Sequence, residues 1–433
     1  MFKPTSHYAR PVYIVDGLRT PQLKARGKPG PFSASDLAMQ ACRALMARQT
    51  FAPTAFDEVV TGCVMPSPDE ANISRIIALR MGCGDAVPAY TVQRNCGSGL
   101  QSIDNAALDI ASGRCDLVLA GGTEAMSRAP LLFNRRMVEW LADWSSAKTA
   151  GAKAKTLLQF RLGYLAPIIA LINGLSDPIV NLSMGQTAEK VAYHFGITRT
   201  EMDLYSVESH QRLTAAQKNG TLAEEITPIF DTAGKYYEFD DGVRSDSTVE
   251  KLAQLKPFFD KPFGLVTAGN SSQITDGAAF VILASAEAIE RYQLPVLGRL
   301  VDVVWKALDP SEMGLGPVYA STALLKQQDL SKDEIDYWEI NEAFAAQVLG
   351  CLAAWNDADF CKKYLGLKSA FGQLDRARLN VDGGAIAIGH PVGTSGARLV
   401  LHMLHVLKRN GAKRGIATMC IGGGQGGAAL IEI

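Results

Sequence analysis

Residues 90–126, YTVQRNCGSGLQSIDNAALDIASGRCDLVLAGGTEAM, decide the fold. The β-forming run Tyr90, Thr91, Val92 leads into Asn95-Cys96-Gly97-Ser98-Gly99. Apolar Leu100, Ile103, Ala107, Leu108 and Ile110 then recur mainly on one helical face. A second apolar run, Asp116 to Ala120, is expected to end at Gly121-Gly122. This is strand, tight Gly turn, helix, strand. It sets the thiol of Cys96 at the start of a helix, where unpaired N–H groups and the helix dipole favour a thiolate. An ordinary thiol titrates at about 8.5, so a nucleophile needs such help at neutral pH. A small inert Cys buried in a strand-to-helix turn fits this stretch alone equally well.

Upstream, Val12 to Val15 reads as a strand and Ser35 to Met46 as an amphipathic helix capped by Ser35-Asp36. Glu58 to Val64 reads as a second strand and Asn72 to Met81 as a helix. Strands and helices alternating at these lengths predict a layered α/β fold.

Downstream, Ser127 to Leu182 interleaves Arg128, Arg135, Arg136, Lys148, Lys153, Lys155 and Arg161 with Leu, Phe and Trp residues. It reads as an inserted helical subdomain with a basic amphipathic face. It either docks on a membrane surface or partner protein, or packs as a lid on its own domain. Ser183 to Gly220 is helix-rich, with Thr198 and Glu201 at capping-box spacing; His194 and His210 within it read as structural. Leu265 to Ser272 reads as a strand entering a loop, and Phe280 to Ala284 as a strand.

The last third repeats this logic. Strand Ile335 to Ile340 ends in Asn341-Glu342-Ala343-Phe344. A Gly-rich loop through Gly389-His390-Pro391 precedes a helix from Thr394 to about Lys408. Strand Gly415 to Cys420 follows, then Gly422-Gly423-Gly424 and Ala428 to Ile433. Polar Gly loop, helix, strand, Gly turn has appeared before, around Cys96. The chain therefore reads as two similar α/β halves, each delivering loops to one cleft. The predicted division is residues 1–126 with 250–287 as the N-terminal half, 127–249 as the inserted loop domain, and 288–433 as the C-terminal half.

The 433 residues are 47% hydrophobic and 20% charged, which is ordinary globular composition with room for two to three domains. A net charge of −1 gives no global field for nucleic acid. The eight Cys are scattered without a CxxC pair, which predicts reduced thiols in a cytosol-like compartment and no structural zinc. The stretch MFKPTSHYARPVYIVDGLRT has no apolar leader core, and no apolar run reaches the ~18 residues of a spanning helix.

Four side chains at strand ends or Gly turns are complementary: Cys96, Asn341, His390 and Cys420. A thiol nucleophile needs a base, and His390, ordinarily titrating at about 6.5, suits that role, though a purely structural His is also open. Cys420 can move a proton to or from carbon, Asn341 can hold a water or carbonyl oxygen, and the Gly422 turn offers N–H groups to an oxyanion. Gly422 to Gly427 also fits GxGxxG, but AALIEI follows instead of a helix and no acidic residue stands about 20 positions on, so it is not a dinucleotide site.

These stretches resemble the thiolase family. NCGSGLQS resembles its nucleophile segment, NEAFAAQ its second signature, GGAIAIGHPVGTSGAR its histidine segment and CIGGGQGGA its last; SMGQTAEKVA and VTAGNSSQITDGAA match two further blocks. The resemblance covers essentially the whole chain and implies a duplicated α/β/α/β/α fold. It implies that Cys96 carries the acyl group of a 3-ketoacyl-CoA as a thioester, His390 activates Cys96, and Cys420 exchanges a proton with the acetyl-CoA enolate. Asn341, through a water, and His390 would form one oxyanion site; the N–H groups of Cys96 and Gly422 would form the other. Ser272 and Arg244 would contact CoA, and Met184, Ala343 and Phe344 the substrate. CoA and acyl-CoA are substrates here, with no metal or redox cofactor.

Ser183 stands where many short-chain members have His before Met-Gly, which points away from an acetoacetyl-CoA substrate. Some bacterial members of the fatty-acid oxidation group have His at the place of Asn341. The insert resembles that of the thiolase subunit of fatty-acid oxidation complexes, which implies a hydratase/dehydrogenase partner and membrane association. The expectation is a cytoplasmic, dimeric or tetrameric 3-ketoacyl-CoA thiolase for medium or long chains, with a biosynthetic acetoacetyl-CoA thiolase as alternative.

Overall fold

Nine strands and a two-residue piece, Leu23–Lys24, join in one ten-stranded mixed sheet. The computed structural model describes residues 8–433; the first seven residues of the stretch expected to lack an apolar leader core lie outside them. The N-terminal half contributes β1 (Val12–Arg19), β2 (Glu58–Gly62), β3 (Ala89–Val92), β4 (Leu117–Ala125) and β5 (Thr275–Ala284). Its helices are α1 (Ala34–Met46), α2 (Ile73–Met81) and α3 (Ser98–Ala111). Between β4 and β5 lie α4 (Arg135–Ser146), α5 (Ala150–Leu158), α6 (Met184–Phe195) and α7 (Arg199–Lys218). The C-terminal half contributes β6 (Gly298–Ala307), α8 (Gly316–Gln328), β7 (Tyr337–Ile340), α9 (Ala345–Asn356), α10 (Ser395–Asn410), β8 (Arg414–Ile421) and β9 (Gln425–Glu432).

The order across the sheet is β7-β8-β9-β6-β1-β5-β4-β2-β3. Numbered within its own half, the N-terminal side runs 3-2-4-5-1. The C-terminal side runs the same way, its third strand reduced to a parallel bridge between Trp338 and Leu379. The expected duplication is therefore present. It extends to one irregularity: β1 bulges between Ile14 and Asp16, and β6 between Leu300 and Asp302. In each bulge an Asp carboxylate accepts the next residue's amide, Gly17 N at 2.8 Å and Val303 N at 2.9 Å. The halves meet where β1 and β6 pair antiparallel, Tyr13 opposite Arg299.

Burial on both faces explains the unbroken apolar strands. In β5, Phe280 and Ile282 pack with Leu37 and Leu45 of α1, while Val281 and Leu283 pack with Ile103 of α3 and Met403 of α10. On the far side Val304, Ile340 and Leu430 pack with Val318 of α8 and Val348 of α9. The layers are thus α1/α2, the N-terminal part of the sheet, α3/α10, the C-terminal part of the same sheet, and α8/α9. Each buried Ile or Leu contributes about 1.5–3 kcal/mol.

Several expectations need correction. β4 does not stop at Gly121-Gly122 but passes through them. A Cβ at Gly121 would lie 2.2 Å from the Ala279 carbonyl oxygen, and one at Gly122 1.9 Å from that of Gly393. The glycines serve close approach, not a turn. The cap of α1 is Ser33, boxed with Asp36, rather than Ser35-Asp36. Leu108 faces solvent. Leu265 to Ser272 is not a strand, because side chains take its amides: Glu189 accepts Leu265 N and Val266 N.

The break expected at 249/250 falls inside a short helix, Val249–Ala253, and the sheet resumes only at Thr275. That at 287/288 falls inside Ala286–Tyr292. Nor is the insert a separate unit throughout. Val191 of α6 and Met202 and Tyr205 of α7 are buried in the core of the C-terminal half. Residues 127–182 carry broad apolar exposure, with Leu158 at 80% and Leu162 at 82%. Gly422 to Gly424 make the hairpin turn between β8 and β9, so the GxGxxG match opens no helix.

Candidate active site

Asn95 stands in left-handed backbone (φ 44°), a conformation Asn tolerates, and turns the chain so that Cys96 lies just before α3, whose N-cap is Gly97. Ser98 Oγ locks the turn, donating to Asn95 O at 2.7 Å and accepting Arg94 N at 2.8 Å. Asn95 Nδ2 donates to Gly422 O at 2.8 Å, which clamps the turn to the β8–β9 hairpin of the other half. There Gly423 and Gly424 take φ of 89° and 75°. The Gly422 and Cys96 amides lie close enough to the Cys96 sulfur to favour its charged form.

Cys96 is partly exposed as a residue, yet crowding at its sulfur pushes the thiol upward. The Gly422 and Cys96 amides favour the thiolate without overcoming that burial, and Glu124 adds repulsion. The expected resting thiolate is thus corrected: the thiol is neutral and needs a base. Cys420, buried on β8, lies within electrostatic reach of Cys96; burial, then Cys96 and Cys351, push its thiol well up.

His390 is buried, and burial, with Arg398 adding repulsion, lowers it to about 4, so it is neutral at pH 7. Its Nδ1 lies 2.6 Å from Ser395 Oγ. Ser395 O–H donates to Pro391 O at 3.0 Å, so Nδ1–H is the donor to Ser395 and Nε2 carries the free lone pair. Nε2 faces Asn341 Nδ2 at 3.4 Å. The Asn341 backbone is held by Thr418 O at 2.9 Å. Next to it, buried Glu342 accepts Tyr205 O–H (3.0 Å), Ser209 O–H (2.6 Å) and Asn380 Nδ2 (3.0 Å), fixing the loop that ends β7.

A cavity of about 450 Å³ opens beside these groups. His390, Met184, Phe344, Ser272 and Arg244, all expected from sequence, line it. Gly422 adjoins it through Met184, whose sulfur would lie 3.3 Å from a Cβ at that glycine. Ala343 does not line it. Its carbonyl accepts Ser272 N at 2.9 Å and so ties the loop after β7 to the cavity wall. Ser183 caps α6, its Oγ accepting Gln186 N at 3.3 Å. Met126, Phe259 and Val392 make the wall apolar, and Lys24 joins Arg244 among the lining residues.

Sequence reasoning missed Asn95, Ser395 and Lys24. Asn directly before a Gly-flanked Cys signals left-handed backbone, and Ser395 lies one turn beyond His390, so both were within reach. His210 is structural, its Nδ1 accepting Arg244 N at 3.2 Å. Among the described residues no cluster of three His, Cys, Asp or Glu is placed to hold a metal ion.

Comparison with known proteins agrees with this geometry. Residues 12–287 match the family model "Thiolase, N-terminal domain" and residues 294–433 "Thiolase, C-terminal domain". The chain is 40% identical over 430 residues to the β-ketoadipyl-CoA thiolase of Pseudomonas aeruginosa, covering 98% of this chain and 99% of that protein. It is 35% identical over 428 residues to the human mitochondrial trifunctional enzyme subunit beta, covering 98% and 88%. The solved structure of human mitochondrial 3-ketoacyl-CoA thiolase in complex with CoA superposes with a TM-score of 0.84 at 36% identity, covering 98% of both chains.

Proposed function

The chain belongs to the thiolase family of acyltransferases, and from that premise we propose that it cleaves medium- or long-chain 3-ketoacyl-CoA with CoA, yielding acetyl-CoA and a shortened acyl-CoA, as in fatty-acid β-oxidation. The observation that carries the reading is a pair of thiols, one from each half, within electrostatic reach of one another, together with a neutral imidazole, His390, that lines an apolar cavity.

In the proposed cycle His390 Nε2 takes the proton of Cys96, whose sulfur adds to the C3 carbonyl. The C3 oxyanion is received by the Cys96 and Gly422 amides; Nε2–H of His390 and a water held by Asn341 receive the oxygen of the enolate formed next. The C2–C3 bond breaks; its electron pair leaves as the acetyl-CoA enolate, which takes the proton of Cys420. The Cys420 thiolate then deprotonates an incoming CoA thiol, which attacks the Cys96 thioester. The Cys96 and Gly422 amides stabilise that oxyanion as well, and Cys96 leaves as a thiolate that regains its proton from His390. The neutral resting state of all three groups suits these transfers, because each proton is handed over only when substrate is present. No step calls on a metal or a redox cofactor.

The apolar wall of Met126, Met184, Phe259, Phe344 and Val392 favours a hydrocarbon acyl chain. Lys24 and Arg244 supply positive charge for CoA phosphates. The 40% identity to a β-ketoadipyl-CoA thiolase favours a second reading, a dicarboxylic 3-ketoacyl chain. Turnover is to be compared on 3-ketohexadecanoyl-CoA, β-ketoadipyl-CoA and acetoacetyl-CoA. The reading expects the first to be fastest; preference for either other substrate replaces it with that thiolase. Likeness to trifunctional enzyme beta subunits supports a hydratase/dehydrogenase partner. The exposed leucines and basic residues of 127–182 are the surface for it or for a membrane. Among the described residues no helix is long and apolar enough to cross a membrane.

A further inference from the structure

Glu124, on β4, is completely buried. Its Oε2 accepts Val64 N at 2.9 Å and Gly393 N at 3.0 Å; its Oε1 accepts Met65 N at 3.0 Å and faces the Cys63 thiol at 3.6 Å. Among the described residues it has no cationic partner. Three other buried carboxylates do: Glu225 and Asp240 pair with Arg19, and Glu339 with Arg398. Burial pushes the Glu124 carboxyl up to about 7 against the pull of its amide donors. A buried carboxyl held by backbone amides and one thiol, with no cation, is costly, so its place calls for a reason.

The donors supply one. Val64 and Met65 follow β2 of the N-terminal half. Gly393 belongs to the C-terminal half, three residues past His390. That loop is docked on the N-terminal half at further points: His390 N donates to Gln273 O at 3.0 Å and Thr394 Oγ1 to Gly277 O at 2.7 Å. The carboxylate is the side chain whose acceptors grip both segments at once. Its charge is also felt at Cys96.

We propose that Glu124 is a positioning residue for acyl transfer, holding the His390 loop of one half in register with Cys96 of the other. This rests on the roles assigned above to Cys96 and His390. A carboxylate has lone pairs for every donor, whereas a Gln amide would turn its NH₂ toward N–H groups. Loosening by about 1 Å can cost ~100-fold in rate.

The test compares the full-length parent, E124Q and E124D with E70Q. Glu70 is likewise buried but grips only the N-terminal half, through Ser35 N and Ser67 O–H. Readouts are kcat, KM for acyl-CoA, melting temperature, and the rate of acyl-adduct formation at Cys96 by intact mass. For E124Q we expect kcat and acylation to fall together by at least ~10-fold with KM within ~3-fold, while E70Q keeps kcat and loses only stability. Should E124Q not fold, E124D gives the same reading through lowered kcat at steady KM. Parental kcat in the folded Glu124 variant, or loss that merely follows melting temperature, overturns the proposal. Absence of a Cys96 adduct in the parent overturns the functional reading and this inference with it.

Discussion

In the N-terminal half the third strand, Ala89–Val92, ends in a turn that sets Cys96 two residues before Ser98-Gly99 at the start of α3. In the C-terminal half α10 also opens on Ser-Gly, Ser395-Gly396, and two residues before it stands Gly393. The two helix starts press on each other: a Cβ at Gly99 would lie 2.7 Å from Gly393 O, and one at Gly396 2.4 Å from Leu100 N. Gly393 itself has no room for a side chain, with Glu124 Oε2 at 2.7 Å and Thr123 O at 2.8 Å from a built Cβ. One copy of the place holds a nucleophile; the other has become a packing contact. The strand 4 to strand 5 link differs as sharply: a three-glycine turn in one half, residues 126–274 in the other. Duplication supplied two frames, and their divergence supplied one asymmetric site.

Removing the nucleophile tests that division most severely. Cys96→Ala should lose ~10⁴-fold or more in kcat, with no acyl adduct by intact mass. Were the C-terminal half able to substitute, activity would survive. Cys420→Ser should cost ~10²–10⁴-fold in kcat yet still allow a thioester on Cys96, since it removes proton transfer to carbon and leaves the nucleophile. Gly393→Ala asks whether the vacated place tolerates a methyl group; a loss of about 1–3 kcal/mol in unfolding free energy is expected, with kcat falling as the His390 loop shifts.

The smallest effect is in the pH dependence of stability, where two histidines of the C-terminal half oppose each other. His390 is lowered to about 4 by burial. As pH falls from about 6.5 to 4 the unfolded chain takes up a proton that the native His390 refuses, so stability falls. His390→Asn should flatten that part of the acid limb in denaturant titrations. Burial also opposes charge on His402, but Glu225 and then Glu339 outweigh it and raise it to about 10. Its contribution is whole below about 6.5 and fades as pH rises toward 10. The stability gap between parent and His402→Gln should narrow over that range.

The chemistry was legible because polar groups between glycines at strand ends have few structural uses: Cys96, His390, Cys420 and Asn341 could be picked out this way. The duplicated order could be read because loop, helix, strand and Gly turn recur as types. What stayed hidden depends on atoms far apart in sequence. Gly121 and Gly122 look like a turn to any local reading; their reason is the approach of Ala279 and Gly393. The thiolate expected at a helix start ignored burial, which only the packed site reveals. Glu124 gave no signal, since its donors are three main-chain amides and the thiol of Cys63, all distant in sequence.

The seam between the halves has a consequence for biosynthesis. β1 sits between β5 and β6, yet roughly 250 residues separate Arg19 from Thr275. At ~5–20 residues per second, the ribosome needs about 10–50 s to deliver the first neighbour. During that interval the segment Val12–Val15 has neither edge partner, and no partial product can close the sheet. Early chaperone capture of the nascent chain is the expected companion of this topology.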